Sequence, residues 1–306
     1  VTAMTIAARG PTAARGPQDL ARFGMGLKSA SFSQAARLTV STWCSGGADH
    51  VRTWDLEVVT RTGEWRLQRR VDTPTQQILR RLRPEGCSGT IVVWTGLHRF
   101  PHPTSAEDTA AQKQFYAEVE RVEAHLGMVF ARFLTGRRGL RLSVNDTPVQ
   151  PWDPFLTHHP SVRRLPVEEI PVGGHLIRVA PFILPHPRRL EPDERARGAG
   201  PRGSLGQQGF YLYRRNRLIL AGQWLGLRGL RRDERYNLAR IAVEVPVEAD
   251  GEWAVDVRKS SAVPPVGVRR HLLRHGMAAR SGAAEVLSHR GRVAAREHGA
   301  EFIHAR

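Results

Sequence analysis

Residues 22–40, "RFGMGLKSASFSQAARLTV", decide the fold of the first part of the chain. Two glycines, Gly24 and Gly26, precede a stretch with helical spacing, and "RLTVSTW" at 37–43 then alternates as a strand does. A glycine loop that opens a helix offers backbone N–H groups and the positive end of the helix dipole to an anion such as phosphate. The alternative is a tight loop before an ordinary helix, because "GMG" fits neither the dinucleotide-binding nor the P-loop spacing.

Arginine carries almost all of the positive charge. The chain has 46 Lys plus Arg against 29 Asp plus Glu, a net charge of +17, yet its only lysines are Lys28, Lys113 and Lys259. Such a surface attracts nucleic acid, but a GC-rich genome that encodes arginine by default explains the same count. Where arginine is the default, a lysine marks a place that suits a compact ammonium on a flexible stem. Lys28 and Lys259 lie in the two most distinctive stretches of the chain.

Composition excludes several classes of protein. No apolar run reaches the roughly 18 residues of a membrane-spanning helix, and the first 20 residues lack the apolar core of a secretory signal. With only Cys44 and Cys87, neither a disulfide framework nor a four-ligand zinc site is expected. We therefore expect a cytoplasmic protein that does not associate with membranes.

Hydrophobic periodicity predicts alternating strands and helices along the whole chain. In the first half we expect strands over 37–43, 51–59, 64–71 and 140–144, a buried central strand over 89–94, and a long helix between Ser105 and Gly136. In the second half we expect strands over 175–184, 209–213, 217–222, 240–247 and 253–257, a loop over 191–208, and helices from 264 and from 276. His158 and His159 are interpreted as loop residues. The predicted domains are 1–150 and 160–275, followed by a helical tail over 276–306.

The glycine stretch at 22–40 resembles the glycine motif of the GHKL ATPases: gyrase B, the ninety-kilodalton heat-shock chaperones, histidine kinases and MutL. It is most similar to that of microrchidia-type ATPases and related bacterial ATP-binding proteins. "GTIVVW" resembles the later strand of that domain, and "GFYLYRRNRLILAGQWLG" with "WAVDVRKSSAVPP" resembles its ribosomal-protein-like second domain. The resemblance implies an α+β protein in which a partial Bergerat-type α/β sandwich precedes a ribosomal-protein-like transducer domain.

The resemblance also implies which residues bind ATP. The nucleotide-binding positions are Phe23, Gly24, Met25, Gly26, Leu27, Lys28, Ser29, Gly89 and Thr90. Lys259 matches the lysine that reaches the terminal phosphate from the second domain, which is the one catalytic position carried over. Two alternatives remain open: Thr90 is favoured in strands for its β propensity alone, and Lys259 is an ordinary surface residue.

Three of the family's catalytic and binding groups have no counterpart here. The family places a general-base Glu, a magnesium-binding Asn and an adenine-reading Asp ahead of its glycine loop. The 21 residues before Arg22 contain no Glu or Asn, and Asp19 is their one acidic residue. The resemblance thus implies ATP and Mg²⁺ as cofactors while the magnesium ligand is missing, and we expect a chain truncated at its front in which hydrolysis is doubtful.

Three functions follow as expectations. The first is an ATP-driven clamp or chaperone-like machine, in which nucleotide controls a homodimer. The second is an arginine-rich protein that binds DNA or RNA without catalysis. The third is a catalytically inactive remnant that acts as a partner-binding module.

Overall fold

A computed structural model of the chain describes residues 4–5, 26–84, 87–98, 108–136, 139–255 and 261–301. The chain forms two compact units, Val1–Phe115 and Tyr116–Arg306, and each is described by itself. Their boundary falls within one long helix. The domain limits at 150, 160 and 275 remain predictions. Helices and strands are both abundant, as expected of an α+β protein.

The first unit is built on a three-stranded antiparallel sheet in the order β2-β1-β3. Its elements are α1 (Gly26–Gln34), β1 (Ala35–Trp43), β2 (His50–Asp55), α2 (Leu56–Thr62), α3 (Thr73–Leu82) and β3 (Gly89–Leu97), and α4 (Thr109–Val129) begins in it. Leu38 of β1 pairs with Trp54 of β2 and Trp94 of β3. The helix expected after Gly26 and the strand predicted over 37–43 are both present, and β1 begins two residues earlier than predicted, at Ala35.

A small apolar core lies between α1 and one face of this sheet. Met4, Leu38 and Trp54 are buried at its centre, and Phe32 of α1 packs against them with Val40 and Leu67. On the other face, α3 contacts β3, and its Leu79 lines a cavity together with Ser41 of β1. The sheet therefore has helices on both faces.

The strand predicted over 51–59 is wrong in its second half, because β2 ends at Asp55 and α2 follows without a loop. The Asp55 carboxylate caps α2 by accepting a hydrogen bond from the backbone N–H of Glu57. Gly63, at a φ of 68°, then ends the helix. These two end signals override the alternating pattern between them.

Two further strand predictions need correction. Over 64–71, the only pairing is an isolated bridge between Gln68 and Thr53. The sequence predicts a central, buried β3, but among the described residues it is an edge strand. Val93 is buried on one face, whereas Val92 and Trp94 on the other are 46% and 43% exposed. A continuous apolar run does not distinguish a central strand from an edge strand.

The second unit is built on a larger, mostly antiparallel sheet in the order β10-β9-β11-β8-β6, with β7 also paired to β8. Its elements are α5 (Ala131–Leu134), β4 (Ser143–Val144), β5 (Thr147–Pro148), β6 (Arg163–Arg164), β7 (Glu168–Val172), β8 (His175–Ile183), α6 (Pro192–Ala199), α7 (Gly203–Gln207), β9 (Gly209–Arg214), β10 (Arg217–Gln223), β11 (Ala239–Glu244), β12 (Ala254–Val255), β13 (Ala262–Val263) and α8 (Val266–Glu301). Only β9 and β11 run parallel among the strands of the described residues. β8 to β11 confirm four predicted strands.

α8 covers one face of this sheet. Val268, Leu272, Ala279 and Ala283 of α8 are completely buried against apolar side chains of the strands. The helices expected from 264 and from 276 are therefore one continuous helix. The loop predicted over 191–208 contains α6 and α7, and the Pro192 near the start of α6 is typical of a first helical turn. In the part of the chain that is described, no helix combines the length and the apolar character needed to cross a bilayer.

Glu168 of β7 links the second sheet to α8 through hydrogen bonds. Its carboxylate accepts hydrogen bonds from His271 Nδ1 at 2.9 Å, His275 Nε2 at 2.5 Å and Arg274 Nη2 at 2.5 Å. The hydrogen bond from Arg274, with those from the two histidines, lowers the pKa of Glu168 to about 2 from an ordinary value of 4.5.

We predict that this cluster loses its contribution to stability in acid. Because the pKa of Glu168 is depressed in the folded state, the stabilisation is present above pH 4.5 and is lost as the pH falls toward 2. The free energy of unfolding of a Glu168→Gln variant, measured by urea titration, should therefore fall less steeply over that interval. The matched control is Glu169→Gln on the exposed side of the same strand, and equal pH dependence in the two variants would contradict the prediction.

Candidate functional site

The first turn of α1 is open at the position where the sequence predicts an anion. The helix begins at Gly26, and Gly26, Leu27 and Ser29 are exposed. A Cβ atom added to Gly26 would meet no heavy atom within 4 Å. The remaining residues of the predicted cradle, Phe23, Gly24 and Met25, lie outside the described residues. The visible part of the cradle therefore leaves room for a ligand to approach the backbone closely.

Lys28 lies on the inner side of α1, where it is 6% exposed. Its Nζ atom donates a hydrogen bond of 2.8 Å to the backbone carbonyl of Thr5. Burial lowers the pKa of this ammonium, since a charged group is harder to hold away from water. In the neighbouring residue, the Met4 carbonyl accepts a hydrogen bond of 2.9 Å from Trp54 Nε1. The segment Met4–Thr5 is thus held by α1 and by β2 at once.

Ser31 joins α1 to β3, and sequence analysis did not identify it. Its hydroxyl donates to the Leu27 carbonyl at 2.5 Å and accepts a hydrogen bond of 2.9 Å from Trp94 Nε1. Ser31 is completely buried. The available signal was the tryptophan itself, because an indole N–H in a packed region needs an acceptor.

Gly89 and Thr90 stand at the start of β3, opposite the end of β1. Thr90 Oγ1 donates a hydrogen bond of 3.0 Å to Thr42 Oγ1, which in turn donates to the Gly89 carbonyl at 3.2 Å. A Cβ atom on Gly89 would lie 2.7 Å from Cζ2 of Trp43. Only glycine allows the indole to pack over this strand, so packing alone accounts for a glycine at position 89.

The first turn of α1 and the start of β3 are directed toward the same end of the sheet. β1 follows α1 without a loop, yet Ser31 of α1 is hydrogen-bonded to Trp94, which pairs with Leu38, the fourth residue of the strand. The helix therefore runs back along β1, away from the end where Ala35 pairs with Leu97. The opposite end is where Trp43 pairs with Gly89. Lys259 lies outside the described residues.

A glycine-led helix laid on an antiparallel sheet, with its N-terminus open, defines an α+β unit with a candidate anion site. Residues 1–88 match the family model described as "Histidine kinase-, DNA gyrase B-, and HSP90-like ATPase". This match covers the glycine stretch and most of the first unit, and it supports ATP binding by this region. It ends directly before Gly89. No curated protein matches the chain.

The described residues fit the phosphates of ATP better than they fit its metal ion. The open turn at Gly26 offers N–H groups at a helix N-terminus, which suit phosphate oxygens. For Mg²⁺, the described parts of the chain contain no group of three or more His, Cys, Asp or Glu side chains that could hold a metal ion. Mg²⁺ in nucleotide sites is held partly by the phosphates themselves.

We predict that Lys28 stabilises the first unit. Lys28→Met keeps most of the apolar stem but leaves the Thr5 carbonyl without this donor, which should cost about 1–3 kcal/mol of unfolding free energy, as for a hydrogen bond to a charged group. Chemical denaturation followed by tryptophan fluorescence measures it. Lys113→Met, the same change at an exposed lysine of α4, is the control. Equal stability of the two variants would show that the buried hydrogen bond contributes nothing.

Proposed function

We propose that the first unit binds ATP, with the phosphates at the N-terminus of α1 and the base near the start of β3. The observation that carries the proposal is the open first turn at Gly26, within a region that matches a family of ATPases. Backbone N–H groups from Gly24 to Leu27 surround the phosphates, and the helix dipole favours their negative charge. Phe23 and Met25 complete the cradle.

Lys28 and Ser29 occupy the next two positions of the cradle. In its buried position, Lys28 acts through the structure, because its ammonium holds Met4–Thr5 against the helix that presents the cradle. It also contributes positive charge close to the first turn. Ser29 is exposed, and in the proposed complex its hydroxyl contacts a phosphate oxygen.

Thr90 takes the position of the family's base-contacting threonine. The Thr90 hydroxyl donates its hydrogen bond to Thr42. The lone pairs of the Thr90 oxygen can therefore accept a hydrogen bond from the exocyclic amino group of the base, or from a water bound to that group. Gly89 keeps the strand close to the Trp43 indole beneath it.

The second part of the proposal is a nucleotide-controlled clamp of the microrchidia-like type. Lys259 contacts the terminal phosphate and so couples the state of the nucleotide to the second unit. In other nucleotide switches, contacts to the γ-phosphate likewise order a segment that is released after hydrolysis. Nucleotide then favours a homodimer. Hydrolysis is not assigned, since none of the carried-over residues is a carboxylate that could act as general base.

We predict that Gly26→Ala weakens ATP binding without harming the fold. The added methyl group has room in the free protein, and alanine is the better helix former, so stability should stay equal or rise by up to about 1 kcal/mol. The methyl group would obstruct the close approach of a phosphate, and affinity for a magnesium-bound, non-hydrolysable ATP analogue should fall roughly tenfold, the equivalent of one charge-assisted hydrogen bond. Isothermal titration calorimetry measures it.

Gly267→Ala is the matched control for this experiment. Gly267 is the second residue of α8, and a Cβ atom there also meets nothing within 4 Å. Its variant should bind the analogue as the wild type does. Equal affinity of all three proteins would show that the α1 cradle does not hold the nucleotide.

We predict that Lys259→Ala weakens the binding of ATP but not that of ADP. If Lys259 contacts only the terminal phosphate, affinity for the ATP analogue should fall about tenfold, while affinity for ADP stays unchanged. Lys113→Ala serves as the control, because it removes the one lysine expected to have no role. An equal loss for both nucleotides, or for neither, would contradict the assigned role.

Nucleic-acid binding is a second candidate function, favoured by a cluster of arginines in the first unit. Arg69, Arg70, Arg80 and Arg83 line a cavity of about 470 Å³ beside α3. Asp49 pairs with Arg83, whereas the other three guanidinium groups are exposed and have no ion pair within the described residues. Such a cluster suits the phosphates of DNA or RNA.

We predict that this cluster determines the salt dependence of any nucleic-acid affinity. Replacing Arg69, Arg70 and Arg80 by Gln should reduce the slope of log K against log salt by about 0.9 for each phosphate that the variant no longer neutralises. Fluorescence anisotropy with labelled DNA and RNA oligonucleotides measures the slope. The control replaces three exposed arginines of the second unit, Arg228, Arg231 and Arg270. Equal slopes for the two triple variants would place the binding elsewhere or show it to be non-specific.

A further inference from the structure

The second unit contains a cavity of about 840 Å³ on the face of its sheet that α8 does not cover. Ligand pockets in proteins commonly measure about 300–1,000 Å³. Strands β8, β9 and β11 form the floor, and α5, α6 and the segment 151–160 form the walls. All of its lining residues belong to the second unit.

The depth of this cavity comes from two alanines that stand side by side in the sheet. Ala180 of β8 pairs with Ala242 of β11, and both line the floor. In the next row on the same face, Arg178 pairs with Glu244, and Glu244 pairs with Tyr213 of β9. Large side chains therefore stand beside two small ones in the floor of the cavity. We call the space over the two alanines the slot.

Aromatic rings form one wall of the slot. The Phe155 ring lies 4.7 Å from that of Phe182 and 6.3 Å from that of Tyr213, measured between centroids. Above Tyr213, the guanidinium carbon of Arg132 lies 3.5 Å from the ring centroid. These surfaces suit a flat apolar body that stacks against them.

Tyr213 places its hydroxyl in this wall. The residue is 2% exposed and lines the cavity, and its hydroxyl forms no hydrogen bond to any described residue. Burial raises the pKa of this phenol, so the hydroxyl keeps its proton. A hydroxyl without a partner in the lining of the cavity can donate a hydrogen bond to a ligand oxygen.

The acidic groups of the cavity are already engaged. Asp153 accepts hydrogen bonds from the backbone N–H of Phe155 and from Thr157 at 2.6–2.9 Å. Glu244 forms an ion pair of 2.6 Å with Arg132. Glu194 accepts from its own helix start.

Two basic groups remain for a ligand. Arg178 and Arg197 line the cavity, and neither side chain has an ion pair or hydrogen bond among the described residues. Because the carboxylates are engaged and these two guanidinium groups are not, the surplus charge of the cavity is positive. A carboxylate ligand complements it.

We propose that this cavity binds a small carboxylic acid with a flat aromatic body. The ring lies over Ala180 and Ala242 against Phe155 and Phe182, and the carboxylate accepts hydrogen bonds from Arg178 and the Tyr213 hydroxyl. The site is separate from the ATP site of the first unit and does not depend on it.

The test uses the full chain and two ligands with the same ring. 2-Naphthoate carries the carboxylate, and naphthalene-2-carboxamide is its neutral counterpart. Calorimetry should show naphthoate binding roughly tenfold more tightly than the amide, as expected for a charge-assisted hydrogen bond. Arg178→Gln and Tyr213→Phe should each reduce this ratio, and Arg270→Gln, an exposed arginine of α8, should leave it unchanged.

A cavity-filling variant and a competition experiment complete the test. Ala180→Leu should abolish binding of both ligands, and circular dichroism and thermal melting verify that this variant folds. If Ala180→Leu does not fold, Ala242→Val fills the cavity with a smaller side chain. A saturating ATP analogue should leave naphthoate binding unchanged. Equal affinity for the two ligands, no binding at millimolar concentration, or displacement by the ATP analogue would each overturn the proposal. The measurements without the ATP analogue do not depend on whether the first unit binds ATP.

Discussion

The first unit depends on how two side chains hold the Met4–Thr5 segment. The Lys28 ammonium reaches the Thr5 carbonyl from α1, and the Trp54 indole reaches the Met4 carbonyl from β2. A buried ammonium is unfavourable unless a good acceptor replaces water, so the hydrogen bond to this carbonyl favours one rotation of α1 and one position of the segment. With α1 fixed, the side of its first turn that carries Gly26 faces outward.

Much of this fold follows from the sequence, and the exceptions have local causes. β1 and the strands of the second sheet have clear apolar patterns. The misassigned region after Asp55 alternates just as well, but a helix cap and Gly63 determine its structure. The continuous apolar run of β3 predicts a central strand, yet whether a strand pairs with one neighbour or with two depends on residues distant in sequence, and no local pattern contains that information.

In the candidate ATP site, too, local sequence indicated some of the residues, whereas their partners are distant in sequence. Scarcity of lysine identified Lys28 as a special position, and the structure gives a reason for it: a compact ammonium bonded to a carbonyl 23 residues away. Sequence analysis could not find that partner, nor the link between Ser31 and Trp94, because both arise from the folding of α1 onto the sheet. In the second unit, the cavity depends on Ala180 lying beside Ala242, and strand pairing alone determines that neighbourhood.

Hydrogen–deuterium exchange of the full chain, with and without a magnesium-bound, non-hydrolysable ATP analogue, tests the central claim most directly. Amides at the start of α1 and at Gly89–Thr90 should exchange more slowly when the analogue is present, because phosphates and base cover them. α8 lies in the second unit and serves as an internal reference whose exchange should not change in its buried part. Slower exchange at both segments is the predicted result. Unchanged exchange at both, at concentrations where calorimetry detects binding, would contradict the proposed site.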